Sequence, residues 1–526
     1  MKIAYINPRF LDTLWSFRGI RSITGVKTAF APLGLATAVA LTPKDWEIEI
    51  YDEEIEPINY NTDADLIALT AFNVQAYRAF KISAEFRKLG KYVVLGGPYA
   101  SLCPNKVWSH VDTVISGECE YIWPEFLNDF KNGRQKVFYE QKEKVDMTDS
   151  PVPAFEKLNT SAYQAFHIQT TRGCPFKCEF CDIVITYGRI PRSKSIKQVM
   201  TEIYKLRELD VKYVVFSDAN YIANTSFAKE LTHELIQFGK EYNYPITFSC
   251  EATINLAKND ELLSLLQKAN FETIFIGIES TRTSSLLETK KYVNIHGTIV
   301  NDVHKIHSYN MVVIAGMIVG FDNDDKNTFQ EQFDFLMGAG IPFTTIGALI
   351  ALEKTPLYYR LQQEGRLLRS NYEEKKGLGE ADLNFIPKLM TREEIIQGYN
   401  WLIRALYSYD NYSRRLINAL QRFSPHLTTF NQNKPFLSIK TLKILFNVVN
   451  HFIFTRNKKR RSFFLRTLVK CFKGHFSMRK FVEVISFMVQ HIHFHAYISK
   501  THGDPETVED FSPFYNVQNN GNDKIN

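Results

Sequence analysis

The sequence has no apolar run long enough to cross a bilayer. The longest, Met311 to Phe321, stops well short of the roughly 20 residues a spanning helix needs. Its opening, Met1-Lys2-Ile3-Ala4, enters a strand directly and lacks the layout of a secretory leader, so a cytoplasmic protein is expected. Cysteine is scarce, seven in 526 residues, which points to a reducing compartment. Four of them, Cys103, Cys119, Cys250 and Cys471, are expected as buried or semi-buried thiols. No repeat at solenoid spacing is present. No G-x-G-x-x-G opens the first helix, so a dinucleotide-binding fold has little support. Neither sign of charge dominates, with 63 Lys and Arg against 57 Asp and Glu. Apolar residues make up 45% of the chain, and a chain of this length supports two or three domains with full cores.

The other three cysteines stand together. Thr171 to Cys181 reads Thr-Arg-Gly-Cys-Pro-Phe-Lys-Cys-Glu-Phe-Cys, which places Cys174, Cys178 and Cys181 at C-x3-C-x2-C spacing after the short apolar stretch His167 to Thr171. Three thiolates on one loop can ligate three irons of a 4Fe–4S cube. The fourth iron is then open to a chelating substrate that can receive an electron. A structural zinc knuckle and three ordinary core thiols are the competing readings. Zinc needs a second pair of Cys or His to close its tetrahedron; no second C-x2-C follows, and the H-x3-H pair that does, His491 and His495, lies far down the chain.

Downstream, apolar runs ending in polar or Gly residues recur at Tyr213 to Asn220, Ile246 to Ala252, Thr273 to Ser280, Val312 to Phe321 and Thr344 to Leu352. Charged stretches of helical period lie between them, such as Ser195 to Leu209 and Ser226 to Glu241. Strand and helix alternating at this pitch predict βα units on a parallel sheet. With the cysteine strand they make six strands. Chemistry in such barrels gathers at the carboxyl ends of the strands, where the cysteine loop falls.

Together with Phe180 just before the third cysteine, these features resemble the radical S-adenosylmethionine superfamily. The resemblance implies a partial (β/α)6 barrel over residues 160–368, with Cys174, Cys178 and Cys181 on the cluster and S-adenosylmethionine chelating the open iron. By the same resemblance, Gly277, Glu279 and Ser280 border the ribose and methionine parts of the cofactor. Gly316 and Gly320 let adenine approach backbone, which glycine permits. Asp218 and Asn220 stand where the family often carries Gly-Gly-Glu, and Glu251 ends a neighbouring strand.

Residues 1–150 form a separate unit. Lys2 to Asn7, Trp46 to Tyr51, Asp65 to Thr70, Tyr92 to Gly96 and Thr113 to Ser116 read as short strands, with helices at Ala31 to Leu41 and Ala76 to Leu89. That predicts an open doubly wound, Rossmann-like sheet with ligands across the strand ends. Its turns, Gly96-Gly97-Pro98-Tyr99-Ala100-Ser101 and Gly117-Glu118-Cys119-Glu120, and its Pro32 to Leu35 helix start resemble the cobalamin-binding domain that precedes many radical enzymes. The resemblance implies corrin contacts from Gly96, Gly97, Ser101, Gly117, Glu118 and Glu120. It also implies cobalt without a protein histidine, since the D-x-H-x-x-G motif is absent.

A helical third region, 369–502, begins with the capping box Thr391-Arg-Glu-Glu ahead of a helix to about Tyr407. Further helical patterns run through Ser438–Phe454, Arg461–Phe472 and Met478–Ser499, and 503–526 reads as a disordered tail. Arg456, Lys458, Lys459, Arg460, Arg461, Arg466, Lys470, Lys473, Arg479 and Lys480 crowd these helices, interleaved with Phe452, Phe454, Phe463, Phe464, Phe472 and Phe476. Such a mixture suits an anionic membrane surface or a solvated face over a Phe-rich core; nucleic acid is the less favoured ligand. His491 and His495 share a helix face and raise the question of a metal.

The whole layout, with Asp182-Ile183-Val184 and Gly188 to Arg192 after the cluster, resembles cobalamin-dependent radical enzymes of the hopanoid C-2 methyltransferase branch. In that family cob(I)alamin takes a methyl group from one S-adenosylmethionine. A second is cleaved to a radical that removes hydrogen from an unactivated carbon, and the substrate radical captures the methyl group. The resemblance implies a C-methyltransferase on an apolar, hopanoid-like lipid, fed by an external flavodoxin- or ferredoxin-like electron donor. The alternative is a radical enzyme for cyclisation, rearrangement or modification of a tetrapyrrole, natural product or RNA, with a non-methylating cobalamin domain.

Overall fold

The computed structural model describes residues 1–508 except 296, 369–382, 428–438 and 474–477. Seven strands fall in the first 140 residues: β1 (Lys2–Asn7), β2 (Thr28–Phe30), β3 (Glu47–Asp52), β4 (Leu66–Thr70), β5 (Tyr92–Gly96), β6 (Thr113–Ser116) and β7 (Phe138–Glu140). Six of them make a parallel sheet in the order β3-β1-β4-β5-β6-β7. Both faces are covered, so its central strands read as near-continuous apolar runs. Strand alternation divides the core: Ile3, Tyr5, Leu66 and Val94 pack with Leu35, Trp123 and Phe126 on one side. Ala4, Ile6, Ile67 and Val93 pack with Phe80, Phe86 and Leu102 on the other.

Eight further strands follow: β8 (Tyr163–Ile168), β9 (Thr171–Arg172), β10 (Arg192–Ser193), β11 (Tyr213–Phe216), β12 (Thr247–Ala252), β13 (Phe271–Glu279), β14 (Val312–Val319) and β15 (Thr344–Ala348), and all but β9 and β10 enter a second sheet. Its parallel order is β15-β14-β13-β12-β11-β8-β2. Six strands follow the expectation; the seventh does not. Strand β2 leaves the first unit and pairs with β8, Thr28 opposite Tyr163 and Phe30 opposite Ala165. Residues 1–150 therefore do not close on themselves as an independent unit. Strands β9 and β10 form a small antiparallel ladder beside the sheet.

Along the barrel strands, Phe248, Cys250, Ile274, Ile276, Val313 and Ala315 enter the core under the helices. The alternate positions His167, Val215, Glu251, Phe275, Gly277, Ile314, Gly316, Ile318, Thr345 and Gly347 are half-buried and line the open concave face, as strand geometry requires.

The C-terminal region is helical, with helices Arg392–Tyr407, Tyr409–Gln421, Ile439–Phe452, Lys458–Phe472 and Met478–Thr501. The Thr391 capping box forms as expected, its hydroxyl accepting from Glu394 N at 3.1 Å and Glu394 Oε2 accepting from Thr391 N at 2.9 Å. Helix Tyr409–Gln421 was not expected. Ser408 ends one helix and caps the next, so the two run together in the pattern. Residues 503–508, expected in the tail, are fastened to the helices. Arg404 Nη2 donates to Asp504 O (3.1 Å), Glu506 accepts from Tyr409 N (2.8 Å), and 509–526 lie outside the described residues. Among the described residues no helix is long and apolar enough to cross a membrane.

Candidate active site

The cysteine loop leaves β9 at the carboxyl end of the barrel and returns through β10. Gly173 starts it at φ +102°, and a Cβ there would lie 2.7 Å from Ile190 O, so only glycine fits. Cys174 N donates to Gly188 O (3.2 Å) and Cys181 N to Cys178 O (3.2 Å). Between the cysteines, Glu179 N donates to Thr289 O (2.9 Å), Glu179 O accepts from Leu357 N (3.1 Å), and Glu179 Oε1 accepts from Arg360 Nε (2.8 Å). Phe180 packs against Phe321 at a ring separation of 6.2 Å. The loop is thus fastened to the segments that follow β13, β14 and β15.

All three thiols are half-buried. Burial raises the Cys178 thiol above its ordinary value while the Lys291 ammonium draws it down, and burial pushes Cys181 up to about 12. Cys174 and Cys178 act on each other electrostatically, as do Cys178 and Cys181. Three thiols this close on one loop need cations to ionise, and a 4Fe–4S group supplies them, so the donor set fits the cluster. Lys291 was missed in the sequence, where Lys290-Lys291 looks like any charged pair. Its Nζ lies 2.9 Å from Glu279 Oε1 with both side chains nearly buried. Burial works against its charge, but Glu279 and the nearby thiols hold the ammonium above its ordinary pKa.

Several expected cofactor residues turn out to be engaged within the protein. Asp218 is fully buried and accepts from Thr170 N (2.6 Å), Thr171 N (3.0 Å) and the Thr170 hydroxyl, fixing the chain just before the cysteines. Asn220 Oδ1 accepts from Thr253 N (3.3 Å), tying the ends of β11 and β12. Ser280 Oγ accepts from Arg282 N (3.1 Å). Gly320, at φ +100°, is a turn residue whose amide donates to Asp324 Oδ2 (2.9 Å). Glu279 itself sits at φ +67° beside a register shift after Gly277. A Cβ on Gly277 would meet Glu279 Oε1 at 2.3 Å, so that glycine makes room for the ion pair. Gly277 and Gly316 are register neighbours on the concave face, the first beneath the Glu279 carboxylate and the second beneath the Phe275 ring.

Glu251 behaves differently. Its carboxylate makes no hydrogen bond or ion pair among the described residues, and burial, with the charge of Asp218 second, raises its pKa to about 7. A carboxyl raised on folding stabilises the fold below its unfolded pKa, and that contribution fades as pH climbs through about 7. Glu251→Gln is therefore expected to match the parent's thermal midpoint at pH 4, below the ordinary carboxyl value, and to exceed it at pH 8. The gain is up to roughly 3 kcal/mol at the usual conversion of pKa to free energy. Equal midpoints at pH 8 would show that the carboxylate is solvated.

In the first sheet, Gly97 (φ +93°) and Gly117 (φ +118°) open the turns at the ends of β5 and β6. Ser101 Oγ links them, donating to Gly97 O (3.0 Å) and accepting from Gly117 N (2.9 Å). Gly96 lies in ordinary contact with Ile115. Glu118 and Glu120, expected at a corrin, are ion-paired with arginines beside the cysteine loop. Glu118 pairs with Arg172 (3.1 Å) and Arg192 (2.6 Å), and Glu120 with Arg172 (2.7 Å). The isolated thiols Cys103 and Cys471 are buried, each pushed up to about 12 by burial.

The C-terminal histidines are structural. His491 Nε2 lies 2.8 Å from Tyr407 O, and His493 bridges Thr13 O (3.1 Å) and Gly19 N (3.2 Å). His495 stacks on Tyr409 at 4.5 Å.

Comparison with known proteins agrees with this geometry. Residues 168–336 match the radical SAM superfamily, and residues 355–507 match a domain of unknown function, DUF4070. The chain is 34% identical over 422 residues to an uncharacterized methyltransferase of Synechocystis, covering 79% of this chain and 78% of that one. It is 33% identical over 381 residues to the hopanoid C-2 methylase of Rhodopseudomonas palustris, covering 71% and 72%. In fold it resembles OxsB, a cobalamin-dependent S-adenosylmethionine radical enzyme solved with aqua-cobalamin and S-adenosylmethionine, with TM-score 0.59 at 13% identity over 95% of this chain and 80% of that one. With the three-cysteine loop at the mouth of a half-barrel and the doubly wound sheet before it, the chain belongs to the cobalamin-binding radical S-adenosylmethionine methyltransferases, in the branch of the hopanoid C-2 methylase.

Proposed function

We propose that this methyltransferase places a methyl group on an unactivated carbon of a large apolar molecule, a polycyclic lipid of the hopanoid kind. The concave face of the barrel carries the reading. Val215, Phe275, Ile314 and Ile318 line it beside Gly277, Gly316 and Gly347. Of the half-buried residues named on it, the titratable ones are His167, whose pKa burial lowers to about 4, and Glu251, poised at about 7, while Glu279 at the strand end is paired with Lys291. Such a face offers little to a charged substrate and much to a hydrocarbon one. The name of the 33% identical relative supports the same class.

Cys174, Cys178 and Cys181 would hold the cluster, and the strand-end turns at Gly97 and Gly117 would hold cobalamin. When bound, these groups supply a one-electron reduction of S-adenosylmethionine and a transferable methyl group. The protein's part is to position and to exclude water. Lys291 and Glu279 place a buried ion pair beside the thiols, Gly277 makes room for it, and the apolar lining keeps the hydrogen-bearing carbon dry. Reduction needs an external donor of the flavodoxin or ferredoxin kind. The basic and apolar C-terminal helices would let the enzyme rest on a membrane while it takes up a lipid.

Anaerobically reconstituted protein, incubated with membrane lipid extract and methyl-labelled S-adenosylmethionine, should yield a polycyclic lipid heavier by one labelled methyl group. Label appearing instead in a tetrapyrrole or a water-soluble product would overturn the substrate class. Cobalamin makes a separate prediction. Electron paramagnetic resonance of the cob(II)alamin form should lack nitrogen splitting from a lower ligand, because no histidine stands at the turns at Gly96–Ser101 and Gly117–Glu120. Nitrogen splitting, or a protein that retains no cobalamin, would contradict it.

A further inference from the structure

Strands β9 and β10 carry the cysteine loop, and their register sets Arg172 directly opposite Arg192. Like charges facing each other across a ladder are destabilising. Here the repulsion falls at the base of the loop, two residues before Cys174. The first sheet neutralises it. Glu118 reaches in with Oε2 at 3.1 Å from Arg172 Nη1 and Oε1 at 2.6 Å from Arg192 Nη2, its side chain 1% exposed. Glu120, equally buried, lies 2.7 Å from Arg172 Nη2 and accepts from Ser150 Oγ at 2.9 Å. Arg192 also donates to Val145 O and to Tyr187 O (3.0 Å). The same turn opens at Gly117, whose amide is tied through Ser101 to Gly97. One turn thus belongs both to the strand ends of the first sheet and to the support of the cysteine loop.

We propose that Glu118, with Glu120, is a positioning residue for the cluster. From the cobalamin domain it closes the Arg172–Arg192 pair and so holds the cysteine loop in its ligating form. The inference rests on the cluster and cobalamin sites proposed above, and iron and cobalamin contents of the parent protein report on those sites independently. Removing the Glu118 carboxylate leaves the Arg192 guanidinium without its ion pair, facing an Arg172 that keeps only Glu120, and the loop should open without disturbing the barrel core.

The test is the rate of iron loss from anaerobic, cobalamin-loaded protein challenged with an iron chelator. Glu118→Gln should lose iron roughly tenfold faster than the parent, as loss of a supporting outer-shell partner does at metal sites, while cobalamin per chain stays unchanged. Adding Arg192→Gln removes the unpaired cation and should bring the rate back toward the parent's. If Glu118→Gln does not fold, Glu118→Asp decides. Its shorter side chain cannot span both arginines, so faster iron loss at full cobalamin is the supporting result. A parental rate in the folded variant, simultaneous loss of cobalamin and iron, or a double variant as fast as Glu118→Gln would overturn the proposal.

Discussion

Protein prepared without oxygen is expected to carry one oxygen-sensitive 4Fe–4S cluster, and Cys174→Ala, Cys178→Ala and Cys181→Ala are each expected to hold none. The loop offers three thiols and its backbone is held at three amides, Cys174 N on Gly188 O, Cys181 N on Cys178 O and Glu179 N on Thr289 O. No neighbouring segment can slide in to replace a lost sulfur. A cube held by two thiolates leaves two irons open, so label transfer to substrate should fall to background in all three variants. The fold should survive, because these thiols are half-buried on a surface loop and leave the core under the strands intact. Cys103→Ala and Cys471→Ala are the controls. Both thiols are buried away from the loop and held protonated, pushed up to about 12, so iron and sulfide should match the parent. A full complement of iron in any of the three loop variants would contradict the assignment.

The strands and the cluster loop were legible because their signals are local. Apolar runs of strand length separated by amphipathic stretches define βα pitch wherever they occur, and three cysteines at fixed spacing need no partner to be recognised. What escaped the sequence depends on distant pairing. Strand β2 is three residues long and gains its identity from β8, so no pattern in Thr28–Phe30 reveals that it joins the barrel. Strand β7 is equally short. Glu118 and Glu120 looked like ligand contacts because they end a glycine turn at a strand end; their partners Arg172 and Arg192 lie in the other domain. Lys291 acquires its role only when the chain folds back beside Cys178. Asp218 faces inward to backbone amides, a use that a lone acidic residue after a strand does not announce.

The basic C-terminal crowd also resolves in three dimensions, and it sets the last expectation. Phe452, Phe463 and Phe464 are core residues, with Phe452 stacked on Phe464 at 5.1 Å. Lys480 is buried, and Phe476 and the Arg479 side chain lie outside the described residues. Lys459 meets Glu506 (3.6 Å), Arg466 meets Asp410 (2.6 Å), and Arg460 donates to Tyr409 Oη (3.0 Å). Those three cations are engaged internally. Arg456, Lys458, Arg461, Lys470 and Lys473 remain exposed, with no ion pair among the described residues. On the helical wheel Lys458, Arg461, Leu465 and Val469 fall on one face, as spacings of three, four and four residues require. Leu465 is 52% and Val469 70% exposed, and Phe454, just before the helix, is 75% exposed. Cations flanking apolar side chains on one exposed face are what an anionic lipid surface holds. Each such charge contributes about 1 kcal/mol near anionic lipid. The triple variant Lys458→Gln, Arg461→Gln, Lys470→Gln should then lose about 3 kcal/mol, a roughly hundredfold weaker partition onto phosphatidylserine-containing vesicles at low salt. Lys459→Gln with Arg460→Gln should cost much less, since both are already engaged within the protein. Raising the salt should weaken the parent toward the triple variant by screening the same charges, while iron and cobalamin contents stay level throughout. If the parent fails to sediment with anionic vesicles at low salt, this face is only solvated and the substrate must reach the barrel from water.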